Sequence, residues 1–543
     1  MPQPPQIGAL LQAAVSQSPH RPALAHGDTE LTYRQLHDAV ERLAARVGDR
    51  PGERVAVIAP NVPALVVAMF AAWRAGATVV PLSARLRSFE LRRVFADARP
   101  SAAISTAAHG GFSLAQELHA LGEQIPTLKH AVIVDEAGAT REELQWPAQE
   151  SAEPPDPAPA PRDQDTAAIM YTSGTTGEPK GALMSHALGV AEAHSLAELL
   201  GDHAGAACVV VVPGSHAFGL ACLLCCMAAG GEAVLVDSTT SLQPLAQAVR
   251  RHGARVLHGS PALFARVLKA TDELPVRSGF TAGSSCPPSV LEELDRREAR
   301  VLNVYGMTEI GAASGCRPED PPAVRHHTVG RPLPGYEFRV VDPTSAGDDA
   351  GEGDAPGERE RDSLRRTPTR GVRGGVRLVD DEAALGEIEV RGPYVTAGYH
   401  GRPREQDEAF DGEWFRTGDL GGIDAAGNLT IAGRAKEVVH VGGFNVFPAE
   451  VESFLLTHPG IGQASVIGVP HAAMGETLHA FVVPSPEAKL AGRDVVSFAR
   501  AGIAGYKVPY GVSVLPELPL LASGKPDRRE LARSLQAHQA GAQ

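Results

Sequence analysis

Tyr171-Thr172-Ser173-Gly174-Thr175-Thr176-Gly177-Glu178-Pro179-Lys180-Gly181 is the stretch around which the rest of the chain falls into order. It follows a run at 167–172 with strand character, and Gly174, Gly177 and Gly181 let the backbone turn tightly and approach a ligand. Ser173, Thr175 and Thr176 add hydroxyl donors, while Lys180 adds a mobile point charge; together they suit a polyphosphate. The spacing excludes a Walker A loop: Gly174 to Lys180 is the wrong interval, a glycine follows the lysine, and no helix signal opens there. A plain turn would not need eleven consecutive residues of this character.

Outward from this stretch, strand and helix signals alternate. Thr32-Tyr33-Arg34-Gln35 has the form of a capping box, and Leu36, Val40, Leu43, Ala44 and Val47 then make one apolar face before Gly48. Residues 55–59 read as a buried strand, 62–75 as a helix and 78–81 as the next strand, which is a βαβ unit. After a Pro-rich connector at 150–165 the rhythm resumes through 208–212, 242–252, 255–258, 261–269, 289–298 and 301–304. Such alternation predicts an α/β fold with parallel, helix-covered sheets and ligands at the carboxyl ends of the strands. From 338 to 431 the pattern changes to short strands and turns, interrupted at 344–380 by acidic, then Arg- and Gly-rich sequence. That interruption far exceeds the ~12–15 residues at which structureless loops become uncommon, so a surface insert is expected. A smaller α/β unit follows Gly433. The expected division is therefore 1–433, helix-covered sheets plus a β-rich subdomain, and 434–543.

With 543 residues the chain exceeds the ~250–300 at which a single core stops growing. A net charge of −14 argues against nucleic acid or an anionic membrane as the main partner. Residues 1–18 lack a basic region leading into an apolar one, and no apolar run has membrane-spanning length, so no integral membrane association and a cytoplasmic location are expected. Cys222, Cys225 and Cys226 lie at helical spacing in the apolar run 219–229, which favours core packing over metal ligation.

The chain resembles the adenylate-forming superfamily of acyl-CoA synthetases, peptide-synthetase adenylation domains and luciferases, over nearly its whole length and most closely the acyl-CoA synthetases. The resemblance rests on the 171–181 stretch and on further motifs in order: Tyr305-Gly306-Met307-Thr308-Glu309, Trp414-Phe415-Arg416-Thr417-Gly418-Asp419-Leu420, Gly433-Arg434, and Pro519-Leu520-Leu521-Ala522-Ser523-Gly524-Lys525. It implies that Tyr305 stacks on adenine, Thr308 contacts the α-phosphate and Glu309 holds Mg²⁺, a role that suits a hard carboxylate. Thr172, Ser173, Gly174, Thr175, Thr176, Gly177 and Lys180 would hold ATP phosphates, Asp419 and Arg434 the ribose. Gly283 and Ser284 would lie beside adenine, although Gly283-Ser284-Ser285 departs from the family's usual loop. Lys525 would bridge the carboxylate and the α-phosphate as they react.

The resemblance further implies a mobile C-terminal domain rotating about Lys436, with Gly442 and Gly443 beside the pantetheine arm of coenzyme A and Lys507 at its phosphate. His216, Ala217, Phe218, Gly259 and Gly311 would line the acyl pocket. His216 stands where amino-acid-activating members carry an Asp, so an α-amino acid is disfavoured and a fatty or other apolar acid expected. A role for His216 in capping the following helix is the competing reading. The expected reaction is the ATP-dependent joining of a carboxylic acid to coenzyme A through acyl-AMP; a homodimer is among the assemblies it allows. Three rivals remain. An acyl-AMP ligase loading a carrier protein would have an insertion soon after Glu309, where 310–329 is short. A luciferase-like oxygenase would have a lysine at His440. A non-catalytic nucleotide-binding protein would not need Lys525, Glu309 and Asp419 together.

Overall fold

The computed structural model describes residues 5–146, 166–172, 180–237, 241–271, 275–341, 385–434, 437–441, 444–471, 474–486, 488–503, 505–521 and 525–541. The insert at 344–380 lies outside them. The chain forms two compact units. One comprises Met1–Pro322, Pro393–Glu408 and Leu520–Lys525; the other comprises Ala323–Gly392, Ala409–Pro519 and Pro526–Gln543.

In the first unit, one sheet runs in the order Lys180–Ser185, Thr166–Thr172, Thr78–Ser83, Arg54–Ala59, Ala102–Thr106, His130–Val134 and Thr140–Gln145. Its central strands are parallel, and each of its two outermost strands is antiparallel to its neighbour. The central strands are buried on both faces, which is why they read in sequence as unbroken apolar runs. Helix Pro63–Arg74 starts with proline at its first turn, where the missing N–H costs nothing. Helices Ser88–Ala98 and Leu114–Gln124 bury Leu91, Phe95, Leu118 and Leu121 against Ile58, Leu82 and Ile133. The capping box before helix Tyr33–Val47 is present: Thr32 N–H donates to Gln35 Oε1 at 2.9 Å, and Gln35 N–H to Thr32 Oγ1 at 3.3 Å.

The unit's second sheet contains parallel neighbours Arg300–Met307, Ser278–Thr281, Val256–His258, Cys208–Val210 and Ala233–Leu235. Because they run the same way, their carboxyl ends share one edge. Cys222, Cys225 and Cys226 are buried in helix Ala217–Ala228, and burial pushes the Cys226 thiol up to about 12. No helix among the described residues is long and apolar enough to cross a membrane.

The second unit holds an antiparallel sheet, Glu337–Val341, Gly386–Arg391, Trp414–Ile423 and Leu429–Arg434. It also holds the C-terminal sheet built on the long hairpin Ile461–His471 and Gly475–Pro484, with helices Pro448–Leu455 and Gly492–Gly502 beside it. Val446, Val451, Leu455, Val466, Leu478 and Val495 form the core there. Arg528 secures the last helix, Arg528–Gly541, by pairing with Glu452 at 2.9 Å and with Glu437.

Candidate active site

Several candidate residues of the first unit follow the carboxyl ends of the second sheet's parallel strands. After Cys208–Val210 come Pro213 and His216; after Val256–His258 comes Gly259; after Ser278–Thr281 come Gly283 and Ser284. Arg300–Met307 carries Tyr305 and leads to Thr308 and Glu309. Gly259 N–H donates to Phe280 O at 3.0 Å, which ties the second exit to the third. Gly283 has φ +86° and lies exposed with Ser284.

Thr308, Glu309 and Ile310 form the tip of a hairpin in which Met307 faces Gly311. Gly311 has φ +59°, as the last position of such a tight connection requires. A Cβ on Gly306 would lie 2.0 Å from Gly311 O, so only glycine permits the two strands to approach this closely. The result buries Tyr305 and Glu309 and leaves Thr308 half-buried.

Two further groups brace this hairpin. Glu192, on helix His186–Leu200, accepts Ala312 N–H at 2.6 Å, and burial pushes its carboxyl up to about 7. Tyr399 donates its phenolic hydrogen to Glu309 Oε1 at 2.9 Å, while Thr396 N–H donates to Glu309 O at 2.7 Å. Neither side chain was legible as a site residue in the sequence. Tyr399 lies in the stretch from 338 to 431 that reads as short strands and turns, and Glu192 belongs to no motif.

Segment 396–400 also grips the strand Lys180–Ser185. Leu183 N–H donates to Gly398 O at 3.0 Å and His400 N–H to Gly181 O at 2.8 Å, with Ala182 and Tyr399 paired between them. Lys180 Nζ lies 5.9 Å from the centroid of the Tyr399 ring. Thr172 and Lys180 are partners in an antiparallel hairpin, so a strand follows the loop, not the helix a Walker A site would open. Tyr171 donates to Asp97 Oδ2 at 2.5 Å, anchoring the hairpin's entry. Ser173, Gly174, Thr175, Thr176 and Gly177 lie outside the described residues, as do Lys436, Gly442 and Gly443.

His216 precedes helix Ala217–Ala228, where Ala217 and Phe218 are half-buried, and its side chain makes no capping hydrogen bond. Burial, and secondarily the charge of Lys525, lowers the imidazole pKa and favours neutral His216. The charge of Lys525 therefore bears on the His216 segment, consistent with the grouping of Leu520–Lys525 in the first unit. Its backbone oxygen accepts Leu521 N–H at 2.8 Å, closing the loop on itself.

In the second unit, Asp419 is buried and its N–H donates to Thr417 Oγ1 at 3.0 Å. Arg434 Nε lies 2.6 Å from Asp419 Oδ1. Lys507 Nζ contacts Glu450 Oε1 at 2.5 Å and lies 5.7 Å from the Tyr506 ring centroid.

Glu309 stands at the hairpin tip as a single buried carboxylate. Among the described residues no group of three or more His, Cys, Asp or Glu could hold a metal ion. A single hard carboxylate fits Mg²⁺ that arrives with ATP, because Mg²⁺ completes its shell with phosphate oxygens and water.

Residues 11–358 match the family model of the AMP-binding enzyme, and residues 450–525 that of the AMP-binding enzyme C-terminal domain. A feruloyl-CoA synthase of Amycolatopsis sp is 32% identical over 535 residues, covering 95% of this chain and 96% of the relative. The 3-[(3aS,4S,7aS)-7a-methyl-1,5-dioxo-octahydro-1H-inden-4-yl]propanoyl:CoA ligase of Mycobacterium tuberculosis is 32% identical, covering 97% and 98%. The o-succinylbenzoate coenzyme A synthetase of Bacillus subtilis, solved with ATP and a magnesium ion, is similar with a TM-score of 0.74 at 27% identity, covering 98% and 99%.

Proposed function

The chain belongs to the AMP-binding enzyme family, and from that premise we propose that it is an AMP-forming acid–coenzyme A ligase acting on an apolar carboxylic acid. In the first half-reaction a carboxylate oxygen attacks the α-phosphorus of ATP and pyrophosphate leaves. In the second, the thiolate of coenzyme A attacks the acyl carbon and AMP leaves. Two anions meet in the first step, so placed positive charge lowers its barrier most.

The observation that carries this reading is that the loop Leu520–Lys525 packs within the first unit, with the charge of Lys525 bearing on His216. It supports an ammonium at the acyl segment, where it can bridge the incoming carboxylate and the α-phosphate. Thr308 at the hairpin tip would donate to the α-phosphate, and Tyr305 would offer its ring to adenine. In the second unit, Asp419 would accept the ribose hydroxyls while Arg434 holds its carboxylate in place. Glu309 would hold Mg²⁺, which when bound offsets the charge of the phosphates.

A neutral His216 offers no countercharge to a substrate ammonium, which favours an acid without an α-amino group. Phe218, Gly259 and Gly311 suit an apolar acyl group, and the relatives named for feruloyl and octahydro-indenyl propanoyl groups support a ring-bearing one. Transfer to coenzyme A would follow rotation of residues 434–543 about Lys436, bringing Gly442 and Gly443 beside the thiol arm. Lys507 would exchange Glu450 for a phosphate of coenzyme A.

The test is pyrophosphate release with ATP and a panel of straight-chain, aryl and fused-ring acids, followed by acyl-CoA formation. Turnover of ring-bearing acids to acyl-CoA is the expected result. Pyrophosphate release without any acyl-CoA product would exclude coenzyme A as acceptor.

A further inference from the structure

Tyr399 touches both arms of the proposed metal–phosphate site. Its hydroxyl donates to Glu309 Oε1 at 2.9 Å, and its ring lies under Lys180 Nζ at 5.9 Å from the centroid. Its backbone pairs with Ala182, two residues after Lys180. The chain around it is fixed independently: Thr396 Oγ1 donates to Leu183 O at 2.8 Å, and Thr396 N–H to Glu309 O at 2.7 Å. Segment 393–408 belongs to the first unit although the sequence on both sides of it belongs to the second. The chain thus returns to the first unit and there clasps the strand of Lys180 and the hairpin of Glu309.

We propose that Tyr399 is a positioning residue for magnesium–ATP, setting the Glu309 carboxylate through its hydroxyl and supporting Lys180 through its ring. A carboxylate has two oxygens and about four acceptor directions. A fixed donor on one oxygen selects one orientation of the group and so the direction from which a cation is received. A charge-assisted bond of this kind is stronger than a neutral one. A cation held over an aromatic face keeps its charge available on its outer side. The ring and the hydroxyl therefore serve the two charges that hold the phosphates, and one side chain keeps them in register. The proposal rests on the reading of Glu309 as the metal ligand.

Tyr399→Phe removes the hydroxyl and keeps the ring; Tyr399→Leu removes both. Equilibrium binding is measured for magnesium–ATP and, without metal, for AMP, together with the magnesium dependence of pyrophosphate release. For Tyr399→Phe the expected result is a weakening of magnesium–ATP binding by roughly tenfold, the scale of one hydrogen bond to a charged group. AMP binding and the melting temperature should stay near the parent's, and Tyr399→Leu should weaken magnesium–ATP further. Equal loss for AMP and magnesium–ATP would mark a structural role only and overturn the proposal. Glu309→Gln separates the two failures. If it shifts the magnesium dependence while Tyr399→Phe does not, the proposal alone fails. If neither variant shifts it, the metal assignment fails and takes the proposal with it.

Discussion

Asp419 and Arg434 face each other across two antiparallel strands, with Nε of the arginine 2.6 Å from Oδ1 of the carboxylate. Asp419 is buried, whereas Arg434 is about half exposed. The arginine thus sets an opposite charge beside a buried carboxylate that would otherwise be unpaired on that side. Asp419→Asn removes charge and little volume. ATP binding is expected to weaken roughly 10- to 100-fold, the scale of losing charge-assisted hydrogen bonds to the ribose. Isothermal titration with ATP and with 2′,3′-dideoxy-ATP checks it. An equal loss for both nucleotides would remove the ribose role from Asp419.

The Glu192 carboxyl has its pKa raised by burial to about 7, partly offset by the Ala312 N–H that favours the ionised form. On helix Ala217–Ala228, burial raises the Cys222 and Cys225 thiols, and the Glu192 charge adds to both. The folded protein therefore holds this proton to higher pH than the unfolded chain, whose carboxyl has the ordinary value. The contribution of Glu192 to stability is complete below about pH 4 and falls as pH rises through 7, by on the order of 3 kcal/mol at most. Glu192→Gln still accepts from Ala312 and cannot ionise. Urea melts of parent and variant from pH 5 to 8 should show the variant gaining relative stability with pH. A difference independent of pH would mean that Glu192 does not titrate in this range.

The hairpin that presents Glu309 depends on Gly311. An added Cβ would lie 2.7 Å from Leu188 Cδ1 and 3.2 Å from the Glu192 carboxyl, in a backbone with φ +59°. Left-handed strain and overpacking together cost about 2–4 kcal/mol. Gly311→Ala is expected to lower the melting temperature by several degrees and to raise KM for magnesium–ATP, since the displaced turn carries Thr308 and Glu309. Unchanged melting with unchanged KM would show that the turn relaxes without moving either side chain.

Much of this arrangement was legible locally. Residues 55–59 read as a strand because both faces are buried. Thr32 and Gln35 announced a helix because their side chains cap it within four residues. The strand at 301–304 was read too short: Tyr305-Gly306-Met307 has turn composition, yet pairing with Gly311–Gly315 keeps it in the sheet through Met307. The contacts of Tyr399 with Glu309 and of Glu192 with Ala312 left no trace of that kind. They join residues 90 and 120 positions apart, and periodicity reports only which face of an element is apolar. The motif resemblance names candidates for the reacting groups, but not the side chains that brace them.

Lys525 gives the sharpest separation of the two half-reactions. Its charge reaches His216, and the loop carrying it belongs to the first unit while residues 409–519 and 526–543 belong to the second. If the ammonium bridges carboxylate and phosphate during adenylation alone, Lys525→Ala should reduce pyrophosphate release from acid plus ATP by roughly 10²–10³-fold, as for losing one electrostatic contact to a transition state. The same variant should convert chemically supplied acyl-AMP and coenzyme A to acyl-CoA at nearly the parent's rate, because the proposed rotation about Lys436 would carry the lysine away from the reacting centre before the thioester forms. His216 reports independently: without the nearby ammonium its imidazole pKa should rise, visible by NMR titration of the ring protons. Both half-reactions are followed by single-turnover kinetics, with thermal melts to confirm folding. Equal damage to both steps would mean that Lys525 stays at the reacting centre throughout, and the proposed rotation about Lys436 would have to be abandoned.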